Sequence, residues 1–346
     1  MQSGASPFPS TPLTRRLGVD HPIIAAPLGR GTTPDFLRAV ADAGGIGFVA
    51  LLSMPEDEVV SRLAPFTAAT NGRFGVNLTL IVDQRRRLQA ALGSGVRLVS
   101  LWYGDPAPYV PLIKAAGATS FWTVGSPEEA AHAADLGVDF LVVQGSEAGG
   151  HLVGTAPIMS LLPAVVDAAR GVPVIAAGGI ADGRGLAAAL CLGACGIWMG
   201  TRFVASIEAA NHPGHKESIV RAGARDLIET ELFDGGWSNA PHRVIRNTTV
   251  RCWEEAGCPP AGARPGEAER VGSFPDGRPL LRYDVATPWA QMEGDWESAA
   301  LYAGASAQLV RSVEPVRCIF SNIVADAAAA LSQFAGGSPR SKEQKE

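Results

Sequence analysis

Eight short apolar runs mark the first two-thirds of the chain, most of them closing on glycine or a polar residue. They are 22–29 (PIIAAPLG), 45–52 (GIGFVALL), 74–80 (FGVNLTL), 97–104 (RLVSLWYG), 119–125 (TSFWTVG), 139–146 (DFLVVQGS), 172–179 (VPVIAAGG) and 196–203 (GIWMGTRF). The runs are continuously apolar rather than alternating, the pattern of parallel strands covered on both faces. Stretches of helical period separate them. In 33–45, Phe36, Leu37, Val40 and Ala41 share one face, with Thr33 as N-cap, Pro34 at the first helical position and Gly44 as the stop. Segment 126–137 repeats the design with Ser126, Pro127, Glu129 and Gly137. Eight strands alternating with helices predict a (β/α)8 TIM barrel over residues 22–205. The competing doubly wound sheet would carry a dinucleotide glycine fingerprint after its first strand, and the sequence has none there.

Beyond Phe203 the periodicity breaks down. Residues 206–300 mix short helices with Pro- and Gly-punctuated turns and read as a smaller, mostly helical segment on the substrate side, placed to act as a lid. Segments 295–310 (DWESAALYAGASAQLV) and 315–334 read as helices, so 301–335 is expected to pack back on the barrel. Residues 1–21 form an N-terminal extension and 336–346 a solvated, disordered tail.

Composition narrows the function classes. Hydrophobic residues make up 47% of 346 and charged residues 18%, enough for one large core. A net charge of −5 and a pI near 5.7 give no electrostatic basis for binding nucleic acid or an anionic membrane. No apolar run is long enough to span a bilayer, and the first residues lack the apolar core of a secretory signal. Five irregularly spaced cysteines suit a reduced, cytoplasmic protein and form no metal-site spacing. The sequence does not fix the oligomeric state, and a homodimer is compatible with it.

The distinctive polar residues all fall at the C-terminal ends of the predicted strands, where barrels carry their active sites. Gly178 and Gly179 end the seventh run, and Gly200 and Thr201 lie in the eighth. Their amides suit a phosphate, although glycines also simply shape tight turns. Asn77 and Gln144 are amides in apolar strands, so each either satisfies backbone or faces a ligand with donor and acceptor edges. His151 follows Gly149 and Gly150, which leave room for a flat ligand beneath the imidazole, and an imidazole of ordinary basicity is a proton acceptor at neutral pH. Glu147 serves either as a second acid–base group or as an anchor for its loop. Trp102, Tyr103 and Tyr302 are candidates to line a pocket for a small substrate. The other histidines, His242 among them, read as structural.

Taken together, 22–50, FGVNL, QGSEAGGHLVG, 173–203 and LYAGASAQLV resemble the nitronate monooxygenase family, formerly 2-nitropropane dioxygenase, over almost the whole chain. Flavin-dependent enoyl reductases and quinone reductases are similar in the same motifs. The resemblance implies FMN, with its phosphate on Gly178, Gly179, Gly200 and Thr201. It places the ring against Ala25, Pro27, Asn77 and Gln144, near Gly149 and Gly150. It also implies that His151 is the catalytic base, and that a small nitronate or nitroalkane reacts with O2 to give a carbonyl compound and nitrite. The alternative it leaves open is an NAD(P)H-dependent reductase of enoyl thioesters or quinones. Leu28 and Ala305 depart from the methionine and glutamine usual in the family, and both bear on substrate contacts.

Overall fold

The computed structural model describes residues 10–335; the expectations for the first nine residues and for the tail 336–346 lie outside the described residues. The eight apolar runs supply eight parallel strands that close into a barrel. These are β1 (Ile23–Ala25), β2 (Ile46–Ala50), β3 (Gly75–Thr79), β4 (Leu98–Trp102), β5 (Thr119–Val124) and β6 (Phe140–Gln144), with β8 (Val174–Ala177) and β9 (Gly196–Met199). The two-residue β7 (Gly150–His151) lies outside the barrel. Closure is the pairing of β9 with β1, with Trp198 beside Ile24.

The continuous apolar runs are explained by two cores. Side chains facing inward fill the barrel: Phe48 lies 4.5 Å from Trp198, and Phe121 stacks on Phe140 at 5.0 Å. Leu13, from the helix Pro12–Leu17, is fully buried in this same cluster. Outward-facing residues such as Val76, Val99, Leu141, Val143 and Ile197 pack beneath the helices. Every barrel strand therefore needs apolar residues on both faces.

The helix starts follow the predicted chemistry. The Thr33 hydroxyl accepts from Phe36 N–H, and that of Ser126 from Glu129 N–H. The Glu129 carboxylate accepts from Gly125 N–H at 2.6 Å, one residue before the cap. Gly137 ends its helix in the left-handed conformation.

The post-barrel segment holds the helices Pro213–Arg221 and Thr248–Glu255 together with strands the sequence reading did not anticipate. These are β10 (Leu227–Thr230), β11 (His242–Ile245), β12 (Arg270–Ser273) and β13 (Pro279–Leu281). Strand β11 pairs with both β10 and β7, so the segment is joined to the loop that carries His151.

The expected helix over 295–310 does not form. The chain instead makes a short 3-10 turn at Trp296–Ser298, an extended stretch, and a second 3-10 turn at Ala305–Leu309. Ala303 N–H donates to Arg243 O, and Ile245 N–H donates to Leu301 O, so the stretch runs beside β11. Close backbone contact explains the difference. A Cβ on Gly149 would sit 2.3 Å from Gly304 N, and one on Gly304 would sit 2.6 Å from Glu147 O. The stretch also pairs its backbone with β11, which a helix, whose amides and carbonyls bond one another internally, cannot do. Helix Val316–Ala335 does form and packs against helix Gly183–Cys191, where Gly183 lies against the backbone of Ile323 and Ala327. No helix among the described residues is long and apolar enough to cross a membrane.

This contact is testable. Gly149 does not have a positive φ, so Gly149→Ala adds no backbone strain and acts only by driving the Gly304 segment outward. The expected cost is about 1–3 kcal/mol of unfolding free energy, read from the urea midpoint. An unchanged midpoint would show that the backbones are not held together there.

Candidate functional site

Backbone amides at the ends of β8 and β9 form the first part of the site. Gly178 and Gly179 have φ of +97° and +71°, a left-handed turn that glycine adopts without strain. Among the described residues, the amides of Gly178, Gly179, Gly200 and Thr201 donate to no carbonyl or side chain. Four free N–H groups at neighbouring strand ends suit an anion. The adjacent helix start is already occupied, because Asp182 caps Arg184 and Gly185. The Thr201 hydroxyl accepts from Gly304 N–H at 2.9 Å, which binds the late segment to this corner.

Asn77 faces the barrel interior, between the outward Val76 and Leu78, and is 5% exposed. Its register neighbour on β4, Ser100, has a buried Oγ that is without a partner. An unpartnered buried hydroxyl beside a side-chain amide in an apolar barrel suits a ligand with donor and acceptor atoms. Ala25 does not meet the expectation for it: its methyl belongs to the outer core, and only its backbone is available to the barrel mouth. Pro27 follows Ala26, which lies against the interior cluster.

Gln144 is engaged elsewhere. Its Nε2 donates to His151 O at 3.2 Å and its Oε1 accepts from Val153 N–H at 2.8 Å. Both ends of the amide are therefore used to fix β7, making Gln144 a positioning residue for His151. Glu147 is a loop anchor, its carboxylate accepting from Ile158 N–H. Gly149 is required by its contact with Gly304 rather than by a flat ligand, whereas Gly150 (φ +75°) has open space around it.

His151 is 7% exposed, and its Nε2 is buried without a hydrogen-bond partner. Its ring stacks on Trp237 at 4.0 Å and 14°, with His242 at 5.0 Å, Tyr302 at 5.6 Å and Trp102 at 6.3 Å. Tyr103, held at φ +61°, packs edge-on to Trp237 at 4.6 Å. Trp102 and Tyr302 thus meet His151 from distant parts of the chain, and Tyr103 reaches it only through Trp237 and Trp102. The Tyr302 hydroxyl donates to Val285 O, and burial raises its pKa well above the ordinary value, so it stays a neutral wall.

Burial, reinforced by His242, pushes the His151 pKa down to about 3. His151 is therefore less basic than an ordinary imidazole and is neutral throughout the physiological range. His242 accepts from Phe233 N–H at Nε2, which leaves Nδ1–H to donate to Ala240 O. Burial also lowers the His242 pKa. Sequence reasoning missed His242 and Trp237. His242 has no local signature, and Trp237 had only its place in the turn sequence Gly-Gly-Trp-Ser-Asn.

The family model described as nitronate monooxygenase matches residues 10–85 and 80–326. The chain belongs to the nitronate monooxygenase family. It is accordingly a flavin-dependent oxidoreductase, and the barrel is the one expected of that family. The chain is 32% identical to (3aS,4S,5R,7aS)-5-hydroxy-7a-methyl-1-oxo-octahydro-1H-indene-4-carboxyl-CoA dehydrogenase of Mycobacterium tuberculosis, over 92% of this chain and 96% of that one. Among solved structures, FabK from Thermotoga maritima matches with a TM-score of 0.80 and 30% identity, covering 95% and 99% of the two chains. Nitroalkane oxidase from Streptomyces ansochromogenes matches with a TM-score of 0.76 and 27% identity, covering 93% and 99%.

The buried histidines make stability depend on pH. His151 falls to about 3 and His215 to about 4, both from 6.5 and both through burial. Their folded-state pKa values lie below the unfolded one, so the unfolded chain binds protons first. The stability they contribute is complete above pH 6.5 and is lost as pH falls from there towards 4 and 3. Each costs up to about 1.4 kcal/mol per pH unit in that window. Urea unfolding should show lower stability in mildly acidic buffer than at neutral pH, with a shallower decline in His215→Gln.

Proposed function

We propose that this family member binds FMN across the C-terminal mouth of the barrel and oxidises alkyl nitronates with O2, giving a carbonyl compound and nitrite. The observation that carries the reading is the unpartnered, buried Nε2 of a neutral His151, set in an aromatic box beside four free amides. The free amides of Gly178, Gly179, Gly200 and Thr201 would hold the phosphate, and Asn77 with the unpartnered Ser100 hydroxyl suits the polar edge of a flavin ring. The chemistry that FMN supplies when bound is electron transfer from an electron-rich anion to dioxygen.

The chain's own contribution is position, dryness and one proton site. The rings of Trp102, Tyr103, Trp237 and Tyr302 exclude water from His151. A neutral imidazole presents Nε2 to the substrate either as a hydrogen-bond donor to a nitronate oxygen or as acceptor of an α-proton. At a pKa near 3 the acceptor role is weak until an anion lies beside the ring, because adjacent negative charge favours the imidazolium. Pre-formed nitronates are therefore the better substrates, and neutral nitroalkanes depend on His151 as base. Gln144 keeps the imidazole in place through its bonds to His151 O and Val153 N–H.

A second reading, reduction of a thioester with NAD(P)H or the reverse dehydrogenation with an oxidised hydride acceptor, is favoured by the near full-length similarity to the carboxyl-CoA dehydrogenase and by the FabK structure. Anaerobic mixing separates the two. Protein purified or reconstituted with FMN should be bleached at the flavin absorbance by alkyl nitronates and not by NADH or NADPH. Bleaching by a nicotinamide alone would replace the first reading with the second. His151→Asn should keep its flavin and lose roughly 100-fold or more of its turnover of neutral nitroalkanes, with a smaller loss on nitronates. Undiminished turnover would place the base elsewhere.

A further inference from the structure

The mechanism above gives Trp237 only the passive role of excluding water, yet this ring covers one whole face of the imidazole at 4.0 Å. The face it covers is the one on which a flat, delocalised substrate would stack. The residues carrying it have the anatomy of a flap. On one side, Gly235 is fixed: its N–H donates to Tyr283 O at 2.8 Å, and its O accepts from Val285 N–H at 3.2 Å. On the other, Ala240 O accepts from His242 Nδ1, and Pro241 O accepts from Leu152 N–H, both at 2.8 Å. Between these anchors the hydrogen bonding is sparse. Trp237 N–H donates to Asp234 O, and Gly236, Ser238 and Asn239 make no hydrogen bond among the described residues. Gly236 and Asn239 have positive φ, at +99° and +54°, one on each side of the ring. The segment is held inward by the Trp237 side chain, through His151, Tyr103 and Trp102.

We propose that residues 236–239 form a hinged flap and that Trp237 is its gate, leaving the His151 face when a flat substrate enters and limiting by its bulk the substituent that fits. Opening costs the aromatic contacts, worth about 0.5–1.5 kcal/mol per pair, and no strand pairing. A flap of four residues between fixed ends pivots at Gly236 and Asn239 without disturbing β11. The same displacement hydrates the imidazole, so admission of substrate and the basicity of His151 are coupled through one side chain. The groups against His151 from the other packed elements stay in place: His242 on β11, with Arg243 next to it opposite Gly150, Trp102 at the end of β4 with Tyr103 beside it, and Tyr302 with Asp284 behind it. Glu231 and Asp234, which precede the flap, act on His242 and are likewise unmoved.

The test uses the flavin-loaded full chain as Trp237→Ala and Trp237→Phe. Histidine titration followed by NMR reads the gate without any turnover. In Trp237→Ala the His151 resonance should titrate more than about one pH unit above the parent, while Trp237→Phe, which keeps a covering ring, should stay close to it. In turnover, the ratio of kcat/KM for a phenyl-bearing nitronate to that for ethyl nitronate should rise roughly tenfold in Trp237→Ala and little in Trp237→Phe. If Trp237→Ala fails to fold, Trp237→Leu carries the same expectation. Parental titration of His151, or an unchanged substrate ratio, overturns the gate. The substrate arm rests on the nitronate reading, and the titration does not. Absence of nitronate turnover in parent and variants alike would therefore defeat that reading and leave the gate to be decided by NMR.

Discussion

The site depends on a backbone contact in which side chains take no part. Gly149 and Gly304 meet so closely that neither tolerates a Cβ, and this contact draws the late segment against the loop after β6. Ala305 N–H then donates to Glu147 O and Gly304 N–H to the Thr201 hydroxyl, joining three parts of the chain at one corner of the barrel mouth. Tyr302 can stand beside His151 only because Gly304, two residues on, is held there. A helix over 295–310 would have been locally reasonable, but it would have forfeited the backbone pairing of Leu301 and Ala303 with β11.

Around that corner the protein holds a basic residue under conditions that suppress its basicity. The aromatic side chains that make the site dry also lower the His151 pKa. Dryness strengthens electrostatic interactions with a bound anion, and the same low polarity disfavours an imidazolium in its absence. The two effects together leave His151 neutral while the site is empty and favour negative charge placed beside its ring. His242 contributes both as a wall and as a neighbour whose own proton is directed to Ala240 O.

The post-barrel segment is more than an appendage. Through β11 it provides the strand on which β7 is paired, and His242 lies directly opposite His151 in that register. Its turns provide Trp237, and its carbonyl at Val285 accepts the Tyr302 hydroxyl. The barrel holds the amides and interior polar groups suited to a cofactor, and the segment builds the aromatic wall against His151. Divergence of substrate within one family is easier to understand when these two duties fall on different stretches of chain.

The barrel and the strand-end residues were legible in the sequence because their signals are local. Continuous apolar runs, caps at Thr33 and Ser126 and paired glycines after β8 each act within a few residues. His151, Trp102, Tyr103 and Tyr302 could be picked out by their positions relative to those runs. Tertiary structure decided what each of them does. Gln144 spends its amide on β7, Ala25 turns its methyl to the outer core, and the stretch around Tyr302 is extended. Trp237 and His242 owe their importance to partners more than 80 residues away in sequence. Periodicity records which face of an element is apolar, and it carries no information about which distant backbone will approach closely enough to require glycine. That approach, decided in three dimensions, is part of what turns a histidine after a barrel strand into a buried and neutral group.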